Sequence, residues 1–177
     1  RLTTTPPGAT PPGAPPPATP TTGPATPPAG VVTAPTTITG FDFDVGISSE
    51  QGTRPTMEDA HYSSMHDPDF PSQYFMDQEG WFFGGVYDGH DGNEASMIAS
   101  QELHKAFIHF LASQNIKNSF NSTYEAISDI IKNDTNAGTC AANVFIHGVR
   151  LFVAHAGDSR VIICIDNAPV FTTVDHN

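Results

Sequence analysis

Residues 81–92 read WFFGGVYDGHDG. The first seven, Trp81–Tyr87, are continuously apolar or glycine, a pattern typical of a strand buried on both faces in the middle of a sheet. A carboxylate, a glycine and an imidazole follow directly, as Asp88, Gly89 and His90. We therefore predict a central strand with a small polar cluster at its end.

The Asp88-Gly89-His90 cluster suits a hard metal ion and a reacting phosphate. Asp88 can bridge two divalent cations, because each carboxylate oxygen has accessible lone pairs. Gly89 would let its carbonyl approach an ion, and His90 could give a proton to a leaving alkoxide. The alternative is an ordinary glycine-rich turn. An EF-hand loop is excluded, because its sixth and twelfth positions would be Asn93 and Ala99 instead of glycine and glutamate.

Two further segments carry charges that suit the same chemistry. In residues 54–59, Arg54 can hold two phosphate oxygens, and Glu58 and Asp59 are adjacent carboxylates that a cation would neutralise. Strand alternation would turn only one of the two directly to a metal, and the alternative is an exposed loop of mixed charge. Asp158 lies at a tight turn, where it could bind metal, form an Asx-type turn, or do both. Together these segments favour metal-assisted hydrolysis of a phosphate ester.

Hydrophobic periodicity places the remaining elements. Apolar residues recur at spacings of three and four in Asn93–Leu111, which predicts an amphipathic helix capped by Asp91 or Asn93. A second helix is predicted at Ser119–Lys132. Strands are predicted at Phe41–Ile47, Ala60–Met65, Cys140–His147, Val149–His155 and Arg160–Ile165. This order indicates an α+β fold with mainly antiparallel pairing.

Residues 1–39 consist almost entirely of proline, threonine, alanine and glycine. Such a segment cannot bury enough apolar surface to offset the entropy of ordering it, so we expect a disordered, polyproline-rich tail. The tail is a spacer, a docking site for a proline-reading domain, or a phosphorylated Thr-Pro tract. The ordered domain is expected to span residues 40–177.

Charge restricts the partners of the chain. Its 177 residues have a formal net charge of −12. Nucleic acids and anionic membranes are polyanions, so neither is expected to bind, whereas metal ions and basic peptides are. Cys140 and Cys164 lie in apolar runs without a disulfide pattern. We therefore expect two buried thiols and favour an intracellular chain over a secreted one, with the compartment left open.

The sequence gives little support for a zinc site or a catalytic cysteine. His104 and His109 fall on the polar side of the long helix, and the histidines as a group lack zinc-ligand spacing. Cys140 lies in a strand without the basic surroundings that activate a thiol, so a catalytic cysteine is not expected.

The order of these segments resembles a known family, the metal-dependent serine/threonine protein phosphatases of type 2C. The resemblance covers the chain from about Phe41 onward. It rests on Gln51–His61, Val86–Gly92, Gly138–Ala141, Gly157–Arg160 and Val174–His176. It implies an αββα sandwich of two antiparallel sheets flanked by helices, with two Mn²⁺ or Mg²⁺ ions in the cleft between the sheets.

Carried over position by position, the resemblance implies a role for each carboxylate. Asp88 would bridge both ions, and Gly89 would bind one through its carbonyl. Glu58 and Asp59 would hold the ions mostly through water. Asp158 would help to form an additional, weaker metal site.

The resemblance also implies the reaction. Arg54 would bind the substrate phosphate, and His90 would act as the general acid. A metal-bridged hydroxide would hydrolyse phosphoserine and phosphothreonine monoesters of phosphoproteins, and the protein is expected to be a monomer.

Two departures from the family pattern stand out. Asp91 replaces a small residue in the turn, and the family's later Asp-Gly and Gly-Asp-Asn turns, with two more metal-binding aspartates, do not occur here. We therefore expect a sandwich that is incomplete at its C-terminal end and a weakly active fragment of an active parent. The alternative is a catalytically silent binding or scaffold module, but the carboxylates and His90 are intact.

Overall fold

The computed structural model describes residues 44–67 and 80–176. The predicted tail at residues 1–39 and the start of the first predicted strand lie outside the described residues. The elements within them are β1 (Ala60–Ser63), β2 (Trp81–Tyr87), β3 (Gly89–His90), α1 (Glu94–Leu111), α2 (Ile116–Asp134), β4 (Gly138–Thr139), β5 (Ala141–His147), β6 (Arg150–Ala156), β7 (Ile162–Ile165) and β8 (Ala168–Thr172).

The main sheet has four antiparallel strands in the order β1-β2-β5-β6. Strand β2 is central, and its register places Phe83 opposite Phe145 of β5. Strands β3 and β4 form a separate two-stranded ladder, and β7 and β8 form a hairpin. Asp166 and Asn167 connect β7 to β8 with φ of 50° and 62°, the left-handed conformation that a tight hairpin turn requires.

The core lies between the main sheet and the two helices. Strand alternation turns Phe83 and Phe145 toward the helices, where both are fully buried. Phe107 of α1 packs among them, with ring centroids 5.1 Å from Phe83, 5.0 Å from Phe145 and 4.4 Å from Phe120 of α2. Val86 faces the opposite side of β2 and is 51% exposed. The helices therefore cover one face of the sheet and pack against β2 up to Tyr87, the residue before Asp88.

These antiparallel sheets with two helices confirm the predicted α+β class. The predicted central strand Trp81–Tyr87 has the bounds of β2, and both helices and the strands flanking Gly148 form where periodicity placed them. The short β3–β4 ladder was not predicted.

Four local expectations were wrong. Residues 44–47 form no strand. Asn93 precedes α1 but makes no side-chain cap bond; it is Asn115 that caps its helix, accepting from Asn118 N at 3.0 Å. His104 is buried at 5% exposure, because its ring stacks on Tyr62 of β1. Cys164 is exposed and Cys140 only half-buried, so the two thiols are not the buried pair expected.

No helix among the described residues has the length and apolar character needed to cross a membrane.

Candidate metal centre

Asp88 directly follows β2, and its backbone carbonyl is hydrogen-bonded to a second segment of the chain. The Asp88 carbonyl accepts hydrogen bonds from Cys140 N at 2.8 Å and from Thr139 Oγ1 at 3.1 Å. Directly after it, β3 pairs with β4, with Gly89 opposite Thr139 and His90 opposite Gly138. The Asp88-Gly89-His90 segment is therefore a short strand held to a second segment of the chain, and its backbone is not that of an isolated glycine-rich turn.

Close packing explains the glycine at position 89. A Cβ atom there would overlap the carbonyl oxygen of Glu58 and lie 3.0 Å from Ser96 Oγ. The Ser96 hydroxyl, fully buried in the first turn of α1, donates hydrogen bonds to the carbonyl of Glu58 and, at 3.0 Å, to that of Asn93. Gly89 and Ser96 together fix the backbone of Glu58 beside the end of β2.

A polar recess of about 220 Å³ lies at this junction. It brings together five of the residues that the sequence analysis selected, Arg54, Glu58, Asp59, Asp88 and Gly89, with Glu50, Gln51, Thr56 and Met57 completing its walls. Gln51 Nε2 donates to the Arg54 carbonyl at 2.7 Å, and Thr56 Oγ1 to Glu58 Oε1 at 3.3 Å. These contacts order the segment before β1, while the Arg54 side chain stays exposed.

His90 lies beside this recess instead of lining it. Its side chain is exposed, and its ring rests against Gly138, where an added Cβ would overlap Nε2. It is nevertheless close enough to Asp88 for its positive charge, when protonated, to favour the ionised carboxylate. The predicted general acid is thus near the predicted metal ligand, with its ring placed by β4.

The carboxylates repel one another. Partial burial raises the pKa of Asp88 above its ordinary value, and the charges of Asp59 and Asp158 raise it further, against a smaller opposing effect of His90. Asp158 comes from the turn after β6, far along the chain from Asp59 and Asp88. Ionised carboxylates at one place are stable only when a cation or a proton neutralises part of their charge.

Asp158 has a partner that the sequence did not suggest. Cys140 Sγ donates a hydrogen bond to Asp158 Oδ1 at 3.1 Å. Burial raises the pKa of the Cys140 thiol, which keeps it protonated and able to donate. The thiol therefore links the segment after β4 to the turn that carries Asp158.

The donor set fits a hard divalent cation by its chemistry. Carboxylate and carbonyl oxygens are the ligands that Mg²⁺ and Mn²⁺ prefer, and after burial the negative charges of Asp59 and Asp158 add to the raised pKa of Asp88. Among residues 44–67 and 80–176, no three His, Cys, Asp or Glu side chains already converge into an ion cage. The individual ligand roles implied by the resemblance remain predictions.

Comparisons with known proteins match one family over most of the chain. The family model described as protein phosphatase 2C matches residues 43–177. Protein phosphatase 2C homolog 2 of Hypocrea jecorina is 33% identical over 140 residues, covering 74% of this chain and 32% of that protein.

Relatives also occur outside the fungi. Probable protein phosphatase 2C 59 of Oryza sativa subsp. japonica is 32% identical over 140 residues, with 76% of this chain and 40% of that protein covered. Protein phosphatase 1B of Rattus norvegicus is 27% identical over 152 residues, with 74% and 37% covered. The chain thus spans 32% to 40% of the length of these curated relatives.

Proposed function

The chain belongs to the protein phosphatase 2C family, and from this premise we propose that it carries the phosphate-binding and metal-binding half-site of a metal-dependent serine/threonine protein phosphatase. The observation that carries the proposal is the recess that Arg54 lines together with the carboxylates Glu58, Asp59 and Asp88. Carboxylate oxygens can hold divalent cations, and an exposed guanidinium beside them can bind an anionic substrate.

Each residue has a defined task in this proposal. Asp88, Glu58 and Asp59 would hold Mn²⁺ or Mg²⁺, together with the Gly89 carbonyl. The bound ions would lower the pKa of water to generate the nucleophile and would neutralise charge on the phosphoryl oxygens. Arg54 would orient the phosphate with its planar guanidinium.

His90 would complete the reaction on the leaving-group side. As the bond between phosphorus and the seryl or threonyl oxygen breaks, that oxygen would otherwise leave as a strongly basic alkoxide. Protonated His90 would give it a proton, so that the products are inorganic phosphate and a free hydroxyl side chain.

The substrates would be phosphoproteins with basic residues near the phosphorylated site. The net charge of −12 is the basis for this choice, because an acidic surface attracts cationic segments and repels nucleic acids and anionic membranes. The proline-rich tail as a docking segment for a proline-reading domain remains a separate prediction, on residues outside the described ranges.

Direct metal binding tests the proposal. Titration calorimetry of the full chain should show binding of Mn²⁺ or Mg²⁺ in preference to Ca²⁺, and Asp88→Asn should remove most of it. Asp91→Asn is a matched control, because Asp91 is an exposed aspartate three positions away that does not line the recess. Hydrolysis of a phosphothreonine peptide should depend on the same metal and on Asp88.

Two results would count against the proposal. Equal loss of binding in Asp88→Asn and Asp91→Asn would indicate unspecific attraction of cations to an acidic surface. Specific metal binding without any metal-dependent hydrolysis, in a chain extended to the length of its relatives, would favour the silent binding or scaffold module.

A further inference from the structure

The turn that carries Asp158 is tied to a later segment of the chain. We name residues 157–161 the Asp158 turn and residues 173–176 the strap. Thr173 N donates to the Val161 carbonyl at 3.0 Å, and Val161 N donates to Thr173 Oγ1 at 3.0 Å. His176 N donates to the Gly157 carbonyl at 3.0 Å. The strap therefore holds both ends of the turn through its backbone.

A bidentate ion pair joins the same two segments through their side chains. Arg160 Nη2 lies 2.6 Å from Asp175 Oδ2, and Arg160 Nε lies 3.2 Å from Asp175 Oδ1. This fork-to-carboxylate geometry fixes the orientation of both groups as well as their distance. Because Nε and Nη2 form one edge of the guanidinium, that edge of Arg160 is directed at Asp175 of the strap.

Stability alone gives little reason for this arrangement. The Arg160 side chain is 52% exposed and that of Asp175 30% exposed, and solvent-exposed ion pairs add little to the free energy of folding. The position of the pair is more informative, since Arg160 lies two residues after Asp158. The ionised form of Asp88 repels Asp158. Without its contacts to the strap, the Asp158 turn would therefore move away from Asp88.

We propose that Arg160 and Asp175 are positioning residues, whose ion pair anchors the strap and holds the Asp158 carboxylate toward Asp88 for divalent-cation binding. The Cys140 thiol completes the restraint from the other side, by its hydrogen bond to Asp158 Oδ1 at 3.1 Å. This inference rests on the proposed function, because it assumes that Asp158 takes part in binding the metal.

Calorimetric titration of the full chain with Mn²⁺ is the first test. Arg160→Gln and Asp175→Asn should each weaken binding by about 10- to 100-fold, as is usual when the support of a metal ligand is lost. Arg160→Lys should show a smaller loss, because it keeps the charge but not the fork. Lys105→Gln is the matched control, since it breaks the exposed Lys105–Glu102 pair of 2.8 Å on α1 and should leave Mn²⁺ affinity unchanged.

Hydrogen exchange of the metal-free protein is the second test. Arg160→Gln should speed exchange of the Val161 and His176 amides, while Lys105→Gln should leave both amides unchanged. If these amides stay as protected as in the wild type, the pair does not anchor the strap, and that result would overturn the proposal whatever the metal affinity.

Two further variants separate this inference from the proposed function. If Asp88→Asn and Asp158→Asn weaken Mn²⁺ binding but Arg160→Gln does not, the positioning role is wrong and the metal centre stands. If Arg160→Gln weakens binding and Asp158→Asn does not, Asp158 is not the group being positioned, and the inference fails. If Asp88→Asn leaves binding intact, the metal centre itself is wrong.

Discussion

The side-chain amide of Asn143 donates a 2.9 Å hydrogen bond to the hydroxyl of Tyr87, the residue that directly precedes Asp88. The Tyr124 hydroxyl donates in turn to Asn143 Oδ1 at 2.9 Å. Asn143 and Tyr87 are fully buried, so this chain of polar groups links α2, β5 and the end of β2 inside an otherwise apolar core. These hydrogen bonds hold Tyr87, the last residue of β2, in place next to the candidate metal centre.

Asn143→Ala should lower the free energy of unfolding by about 3 kcal/mol, because it leaves two tyrosine hydroxyls without their partner and opens a small cavity. Urea denaturation measures the change. Asn121→Ala, at an exposed position of α2, should be nearly neutral. Adding Tyr124→Phe to Asn143→Ala should cost less than the sum of the single changes, since one stranded hydroxyl is then gone. Strict additivity would show that the two groups are not coupled.

Asp88→Asn should make the metal-free protein more stable at neutral pH. The pKa of Asp88 is raised in the folded state, so its ionised form is favoured less there than in the unfolded chain. The resulting destabilisation is present above the folded pKa and disappears as the pH falls below the ordinary value of 3.8. Thermal unfolding with EDTA should thus show a gain for Asp88→Asn that shrinks toward acidic pH. A loss of stability at neutral pH would contradict the repulsion.

Much of the fold could be predicted because its signals are local. Trp81–Tyr87 is apolar or glycine at every position, which is typical of a strand inside a sheet. Strand β2 does pair with a strand on each side, but burial on both faces was wrong, because Val86 on its second face is 51% exposed. Residues 93–111 repeat at the helical period over several turns, so α1 formed with nearly the predicted bounds. The carboxylates of the centre could be selected from residue type and position, since each lies in a polar segment next to a strand and carboxylate oxygens suit hard divalent cations.

The rest depends on pairs that are distant in sequence. Because histidine is polar, the sequence predicts that His104 lies on the solvent side of α1. In the structure its ring instead stacks on Tyr62 of the edge strand β1, and its Nε2 lies near Asp67 Oδ2. Ser96 holds Glu58 across 38 positions, and Cys140 meets Asp158 across 18. The hydrophobic periodicity of one segment cannot predict these contacts, because they form only after the strands have paired.

Buried His104 should make the protein sensitive to mild acid. Burial lowers its pKa below 6.5, an effect that the nearby Asp67 only partly offsets. The neutral ring therefore favours the folded state above the unfolded pKa, and this stability is lost as the pH falls below it. His104→Phe keeps a ring against Tyr62, whose centroid is 3.7 Å away. It should flatten the dependence of unfolding free energy on pH between about 7.5 and about 5.

The exposed His109 on the same helix provides the control for this change. His109→Phe should keep the wild-type pH dependence, because this side chain stays in contact with solvent in the folded protein. Parallel urea titrations of the three proteins decide the matter. If the unfolding free energy of His104→Phe depends on pH as strongly as that of the wild type, the acid sensitivity comes from other groups.

Gly89→Ala should be the most damaging single methyl addition at the centre. The new Cβ would overlap the carbonyl of Glu58, a backbone atom that Ser96 holds in place, so no flexible side chain can move aside. We expect a loss of about 3 kcal/mol, at the upper end of the usual range for overpacking, together with loss of Mn²⁺ binding. Gly46→Ala is the matched control, because nothing lies within 4 Å of a Cβ added there. Similar stability of the two variants would mean that the Glu58 segment can shift freely, and the centre would then lack the fixed geometry that its chemistry requires.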